Sequence, residues 1–286
     1  MSEVRVAVPQ NLPDFVDLDF ARRLEMAEMI TPECYQAIRS FAPADPIAVE
    51  HAAGGIAFFG GVDYPANQTV GMGLYGEVAA AELDRVEDFF RSRGVASTVV
   101  LSPLAHESLR VLLGERGYRI AEFNSVLIRR LNPEEPCTFR AGVSIERVTP
   151  ETLKPWMSAI AKGFEQDIAV AEEVFGGFAA LPGALAFLAR IEGKVVGGGG
   201  GRVISEGRIA ALFGAATLPE YRRRGVQTAL IAQRLHEAAK AKCEYAVVST
   251  HPGSGSQRNM ERRGFRLAYT KAVMAREWPK DSKSGH

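Results

Sequence analysis

The feature that most constrains this chain is that it repeats itself once. The heptapeptide ERGYRIA, Glu115 to Ala121, returns as RRGFRLA, Arg262 to Ala268, with Gly264 standing 147 residues after Gly117. That interval is far too long for a solenoid period and has the length of a whole domain. The surroundings repeat in the same order: a helical stretch, a β-rich run, a proline, a short helix and an alternating strand. In the first half these are Glu77 to Arg93, Ala96 to Leu101, Pro103, Ser108 to Glu115 and Arg119 to Arg130. In the second they are Val226 to Lys242, Glu244 to Thr250, Pro252, Ser256 to Arg263 and Arg266 to Arg276. One matched heptapeptide is easily had by chance, but an ordered set of elements is not. The sequence predicts a duplicated domain.

At 286 residues the chain has room for two domains of ordinary size. The boundary is expected at Leu131 to Pro136, where two prolines and two acids interrupt the periodic pattern. This gives a first domain over residues 1–132, a second over 137–278 and a tail at 279–286. A helix-like run, Asp19 to Ser40, is expected to pack on the first domain. Because every residue of the motif described below follows the linker, a fragment starting near Glu135 is expected to retain some ligand affinity.

Composition narrows the function classes. Hydrophobic residues make up 47% and charged residues 24%, the balance of a globular protein with real cores. Lys+Arg and Asp+Glu are equal at 34 each, which argues against nucleic acid or an anionic membrane as partner. Cys34, Cys137 and Cys243 are odd in number and far apart, so neither a disulfide framework nor a metal site is expected. The N-terminus lacks an apolar run and no segment approaches bilayer-spanning length, so the expected location is the cytoplasm.

The second half reads as a mixed α/β domain with an antiparallel front and one β-α-β crossover. Val143 to Val148 alternates as a strand, and Thr149 is placed to cap a helix with Pro150 at its first position. Ala184 to Ile191 and Val195 to Val203 form a hairpin, and Arg208 to Thr217 is a strand buried on both faces. The five glycines Gly197 to Gly201 leave two readings open, a tolerant surface segment or a wall thinned beside a substrate channel.

The stretch that carries chemistry is Leu218 to Leu230, LPEYRRRGVQTAL. A buried strand ends at Ala216 and Thr217, a basic turn holds Arg222, Arg223, Arg224 and Gly225, and a helix starts near Val226, Gln227 and Thr228. Backbone N–H groups at a helix start have no intrahelical acceptor, and with the helix dipole they form an anion site suited to a pyrophosphate. Gly225 lets that backbone come close, and the arginines add charge without dedicated carboxylate partners. Neither GxxxxGK[ST] nor a post-strand GxGxxG is present, so ordinary nucleotide loops are not the reading. His251, at a strand end beside Pro252, reads as a structural histidine.

Arg222-x-x-Gly225-x-Gln227 resembles the acyl-CoA signature [Q/R]xxGx[G/A] of the GNAT acetyltransferase superfamily, with Gln227 in place of the usual small residue. The run Ser254 to Phe265 resembles the family's following block. The resemblance covers about Val143 to Arg276, and residues 47 to 130 look like a degenerate copy. It implies a central mixed, mostly antiparallel sheet flanked by helices, α/β in class and duplicated in tandem. It further implies acetyl-CoA as acyl donor, no metal, and an acceptor that is a primary amine of a small molecule or peptide. Cofactor contacts are expected from Ala216, Thr217, Leu218, Arg222 to Thr228, Gln257 and Asn259. The oligomeric state stays open, a homodimer included.

No catalytic residue is assigned. Met260 stands where the family often has a tyrosine acid, which favours a second reading, a catalytically silent acyl-CoA-binding module. Glu165, Asp167, Glu172 and Glu173 fall where substrate loops would lie. The first half has only Tyr75 and Gly76 before acidic Glu77, with no arginines, so coenzyme A is not expected there.

Overall fold

The computed structural model describes residues 16–41, 46–165 and 176–278, apart from residues 63, 65, 180 and 207. Asp17 opens the first helix, α1 (Leu18–Met26), its carboxylate accepting the Phe20 N–H at 2.8 Å. A turn separates it from α2 (Pro32–Phe41), so the single helical run expected over Asp19 to Ser40 is two helices. The first half continues with β1 (Ala48–Ala52), β2 (Gly55–Phe59), β3 (Gln68–Val70), α3 (Ala80–Arg91), β4 (Ser97–Leu101), α4 (Glu107–Glu115) and β5 (Arg119–Arg130). The second half has β6 (Val143–Arg147), α5 (Leu153–Phe164), β7 (Phe187–Ile191), β8 (Lys194–Ile204) and β9 (Ile209–Thr217). It ends with α6 (Val226–Lys240), β10 (Tyr245–Thr250), α7 (Gly255–Glu261) and β11 (Arg266–Arg276). Helix α5 starts later than its sequence suggests. Thr149 does not cap it; the Thr149 N–H instead donates to the Thr152 hydroxyl at 2.8 Å across a turn.

The eleven strands of the described residues form one sheet, in the order β1-β2-β3-β4-β11-β5-β10-β9-β8-β7-β6. Each half contributes one parallel pair joined by a helix, β3-α3-β4 and β9-α6-β10, and its other neighbours are antiparallel. The duplication is thus real in three dimensions, but the copies are not side by side. The last strand of each half sits beside the penultimate strand of the other. Strand β5 pairs with β10 from Tyr245–Arg130 to Thr250–Ser125, and β11 pairs with β4 from Ala272–Leu101 to Arg276–Ser97. Between them β5 and β11 pair with each other. The linker at Leu131 is therefore a boundary in sequence only. A fragment starting near Glu135 lacks the strand that joins β10 to β11, which removes the basis for its expected independence.

Helix α1 does not rest on the first half alone. Phe20, Ala21, Leu24 and Ala27 bury against Val126 and Ile128 of β5, Ile209 and Ala211 of β9, Val247 of β10 and Tyr269 of β11. The opposite face of the sheet carries α6 and α7, whose Val226, Leu230, Leu235 and Met260 pack with Leu127, Leu212, Ala246 and Val248. The glycine run lies inside β8 and is buried throughout, so it is no surface segment. Side chains are excluded by neighbours. A Cβ on Gly197 would stand 2.7 Å from the Ala216 carbonyl oxygen, and one on Gly198 would stand 2.7 Å from the Trp156 ring. Among the described residues no helix is long and apolar enough to cross a membrane.

Candidate functional site

The site follows from how two parallel strands part. β9 and β10 pair only from Ile209–Tyr245 to Ala211–Val247. Beyond that, β9 stays bonded to β8 and β10 stays bonded to β5, so the two diverge. A bulge helps to turn β9 away: Gly198 faces Ala216 and Gly200 faces Phe213, which sets Gly214 and Ala215 against Gly199 alone. Gly214 takes φ +52°, a conformation glycine adopts without penalty. The result is a cleft of ≈ 790 Å³ lined on two sides by the parting ends of β9 and β10.

At one end of the cleft lies the start of α6. Pro219–Tyr221 makes a 3-10 turn, Arg223 has φ +65°, and Gly225 is the helix N-cap at φ +89°. No side chain caps this helix. Its first helical bond runs from the Ala229 N–H to the Gly225 carbonyl at 3.0 Å, so the N–H groups of Val226, Gln227 and Thr228 precede the ladder. A Cβ on Gly225 would approach Arg140 at 3.3 Å. Arg140, Arg222, Arg223 and Arg262 also line the cleft, giving its mouth a positive potential. Contrary to the sequence expectation, Arg222 has a carboxylate neighbour: it lies 3.6 Å from Glu165 and donates to the Gly163 carbonyl at 3.1 Å. Both side chains are at least half exposed, so the pair is weak and exchangeable.

Of the expected contacts, Ala216, Thr217, Arg222, Arg223, Gly225, Val226, Gln227, Thr228 and Asn259 line the cleft. Three do not. The Leu218 N–H is spent on the Val196 carbonyl at 2.9 Å. Arg224 lies over the Tyr221 ring, 5.3 Å from its centroid. Gln257 is consumed within the turn it opens, accepting from the Gly253 N–H and donating to Glu261, both at 2.8 Å. His251, read from sequence as a structural histidine, lines the cleft, exposed, with Nδ1 3.7 Å from Glu122 of the first half. Met260 is buried beneath the cleft and brings no hydroxyl to it. Asp167, Glu172 and Glu173 lie outside the described residues.

Arg234 carries a role that its sequence context does not announce. It sits two turns into α6, fully buried, donating from Nε to Leu230 O at 3.0 Å and from Nη1 to Gly200 O at 2.7 Å. Burial alone lowers its pKa to about 10. A Cβ on Gly199 would lie 3.1 Å from its Cζ, so this glycine makes room for the guanidinium behind the bulge. Its helical spacing from Val226 and Leu230 is legible, but a charge on a core-facing stripe reads as a break in the pattern.

Polar atoms left without a protein partner gather here. Thr217 Oγ1, Thr250 Oγ1 and Arg234 Nη2 are buried and unbonded, and all three residues line this cleft. Buried polar groups are almost always satisfied, so such a cluster marks a place where a ligand supplies the missing bonds. An uncapped helix start, a basic mouth and unbonded polar side chains between the parting strand ends fit a pantetheine arm ending in a pyrophosphate.

Residues 151–265 match the Acetyltransferase (GNAT) family. Among solved structures, a GCN5-related N-acetyltransferase from Kribbella flavida is similar at TM-score 0.63 and 19% identity, over 89% of this chain and 95% of that one. A tandem GNAT protein from the clavulanic acid biosynthesis pathway is similar at TM-score 0.61 and 14% identity, over 92% of this chain and 94% of that one. A GCN5-related N-acetyltransferase from Sphaerobacter thermophilus gives TM-score 0.52 at 17% identity over 64% of this chain, which spans 60% of that protein's length. These likenesses show the fold, a tandem GNAT architecture. No curated protein matches the sequence.

Proposed function

We propose that the protein is an N-acetyltransferase that moves an acetyl group from acetyl-CoA to a primary amine, on a small molecule or peptide, in the cleft between β9 and β10. The observation that carries this reading is that one cleft is lined both by an uncapped, glycine-led helix start and by three residues with buried, unbonded polar atoms, Thr217, Thr250 and Arg234. In this reading the N–H groups of Val226, Gln227 and Thr228 bind phosphate, with Arg222 and Arg223 adding charge. Thr217 and Thr250 bond the arm, and Ala216 and Asn259 border it. Bound acetyl-CoA would supply an activated acyl group, open to direct attack by an amine within a ternary complex.

The residues then have two tasks, to hold the amine and to take its proton. An alkylammonium of pKa ~10.4 costs about 4 kcal/mol to deprotonate at neutral pH. A buried Met260 offers no proton to the departing thiol, but a thiol of pKa ~8.5 leaves tolerably as its anion. The burial of Met260 also favours a second reading, a silent acyl-CoA-binding module. Incubating the protein with acetyl-CoA and a panel of ethylamine, spermidine, lysine methyl ester and a peptide with a free N-terminus decides between them. Thiol release dependent on an amine supports the enzyme, whereas calorimetric binding with no release on any amine supports the silent module.

A further inference from the structure

Opposite α6, on the other face of the sheet, a buried charge cluster reaches the cleft wall from outside the family segment. Glu25 of α1 and Glu28 in the turn after it share Lys271 of β11, whose Nζ lies 3.1 Å from Glu25 Oε2 and bonds Glu28 Oε2. The Tyr269 hydroxyl donates to Glu25 at 2.7 Å. The Ser249 hydroxyl of β10 donates to Glu28 Oε1. Ser249 itself lines the cleft, and Glu28 keeps 21% of its side chain exposed.

Lys271 sets one cation against two carboxylates, Glu25 and Glu28. Burial, opposed by Lys271 and reinforced by Glu28, holds the Glu25 carboxyl above its ordinary range. Burial pushes the Lys271 ammonium down, but Glu28 and Glu25 together outweigh it and the lysine is held charged. Burial and the two acids raise the Tyr269 phenol, so it stays a donor. The groups facing Glu28 are thus Lys271 and Tyr269 from β11, Ser249 from β10 and Glu25 from α1, with apolar Val126 of β5 in register between Ser249 and Tyr269.

The geometry points to Glu28 as the proton acceptor for the amine substrate, acting through Ser249. This rests on the acetyl-transfer reading. Phosphates held at the start of α6 occupy one face of the sheet, so an amine meeting the acyl group arrives from the face that carries α1. With its proton committed to Glu28, Ser249 Oγ presents lone pairs to an incoming N–H. An ammonium N–H breaks, its proton passes to Ser249 Oγ, and the Ser249 proton passes to Glu28. The nitrogen keeps the electron pair with which it attacks, and the proton on Glu28 later leaves to solvent. Glu28 is a positioning residue of the first half serving a cleft of the second.

The test uses the full chain and whichever of ethylamine, spermidine, lysine methyl ester and the free-N-terminus peptide turns over fastest. At pH 7, Glu28→Gln should lower kcat/KM by at least about 100-fold, the usual worth of a proton acceptor. The deficit should shrink toward wild type at pH ~9.5, where more amine is already free. Ser249→Ala should show the same loss, and the double variant no more. Calorimetric affinity for acetyl-CoA should be unchanged in all three. A loss of equal size at every pH, or an unchanged profile, would overturn the assignment. Acetyl-CoA binding without turnover of any panel amine by the wild type would remove the enzyme reading itself, and this inference with it.

Discussion

The two halves of the molecule build the same crossover and end with opposite interiors. In the second half β9 runs from Ile209 to Thr217, outlasts its pairing with β10 and opens a cleft. In the first half β3 is only Gln68–Val70, and its chain turns back through Gly71 and Gly73, both at positive φ. Met72, Leu74 and Val78 are then buried, where the second half keeps its opening. Helix α4 closes over them: the His106 N–H bonds the Gly73 carbonyl at 2.8 Å, and Leu109 approaches Gly73 closely enough that a Cβ would meet it at 3.3 Å. The Val78 N–H is taken by the Ser108 hydroxyl at 2.8 Å. One fold thus yields a binding cleft when a strand is long and its crossover turn basic, and a plugged core when the strand is short and the turn apolar.

The largest test of this comparison separates the halves. Residues 133–286 alone lack β5, so β10 and β11 lose a partner along most of their lengths and Leu127 leaves the core. This fragment should show no cooperative melt and no coenzyme A binding in calorimetry. Coexpression with residues 1–132 should restore both. A folded, ligand-binding fragment would show that the exchanged strand is dispensable.

Next in size is the buried lysine between the halves. Lys271→Met leaves Glu25 and Glu28 without their cation, and breaking such a buried pair costs about 3–5 kcal/mol. The pH dependence follows from the direction of the shift. A lysine whose folded pKa is raised contributes stability that is fully present below its unfolded pKa of ~10.4 and is lost as pH rises through the folded value. Urea melts should therefore show wild type losing this advantage above pH ~10.4 and the variant lacking it throughout. A variant as stable as wild type at pH 7 would mean that the cluster does not tie α1 to the sheet.

A third test compares the crossover turns directly. Gly225→Glu puts a side chain and a negative charge at the uncapped start of α6. At the first-half counterpart, Gly76, a Cβ would meet nothing within 4 Å. Repulsion between like charges at an effective dielectric near ~20 is worth several kcal/mol before salt and relaxation reduce it. Acetyl-CoA affinity should fall at least tenfold in Gly225→Glu, about 1.4 kcal/mol. Gly76→Glu should leave it unchanged, and calorimetric stoichiometry should stay near one per chain. Equal affinities in two folded variants would move the phosphate site elsewhere.

How much of this is legible in the sequence depends on the range of each signal. The paired elements are, because period, proline and glycine positions are local: α4, β5, β10 and β11 fall within a residue or two of their expected spans. The basic turn and its glycine are legible for the same reason. The strand exchange is not, since β5 and β11 carry equivalent patterns and neither states which edge it joins. Glu28 is hidden by distance, lying 243 residues before Lys271 and 221 before Ser249. Leu218, Arg224 and Gln257 read as ligands because their neighbours in sequence are on the cleft; their bonding partners, Val196, Tyr221 and the Gly253 turn, are visible only in three dimensions.

The smallest effect is expected at the short helices that follow the penultimate strands, α4 and α7, because there the halves differ in chemistry but agree in geometry. Ser254 caps α7, its hydroxyl accepting the Gln257 N–H at 3.1 Å, and it lines the cleft. His106 caps α4, its Nδ1 accepting the Ser108 N–H at 3.3 Å, and it does not line the cleft. Replacing a serine cap by alanine costs about 1 kcal/mol, or about 2–4 °C in a chain of this size. His106→Ala should cost less, since a long bond from an exposed ring is the weaker cap. The informative difference lies in the ligand response. Acetyl-CoA should stabilise Ser254→Ala by less than the wild-type increment, because part of the binding free energy goes into ordering the wall that α7 forms, and should raise the melting temperature of His106→Ala by the full wild-type increment. Thermal melts with and without acetyl-CoA measure both. If the ligand increments of the two variants are equal, α7 is as remote from the bound cofactor as α4 is, and the cleft must be occupied nearer to β9.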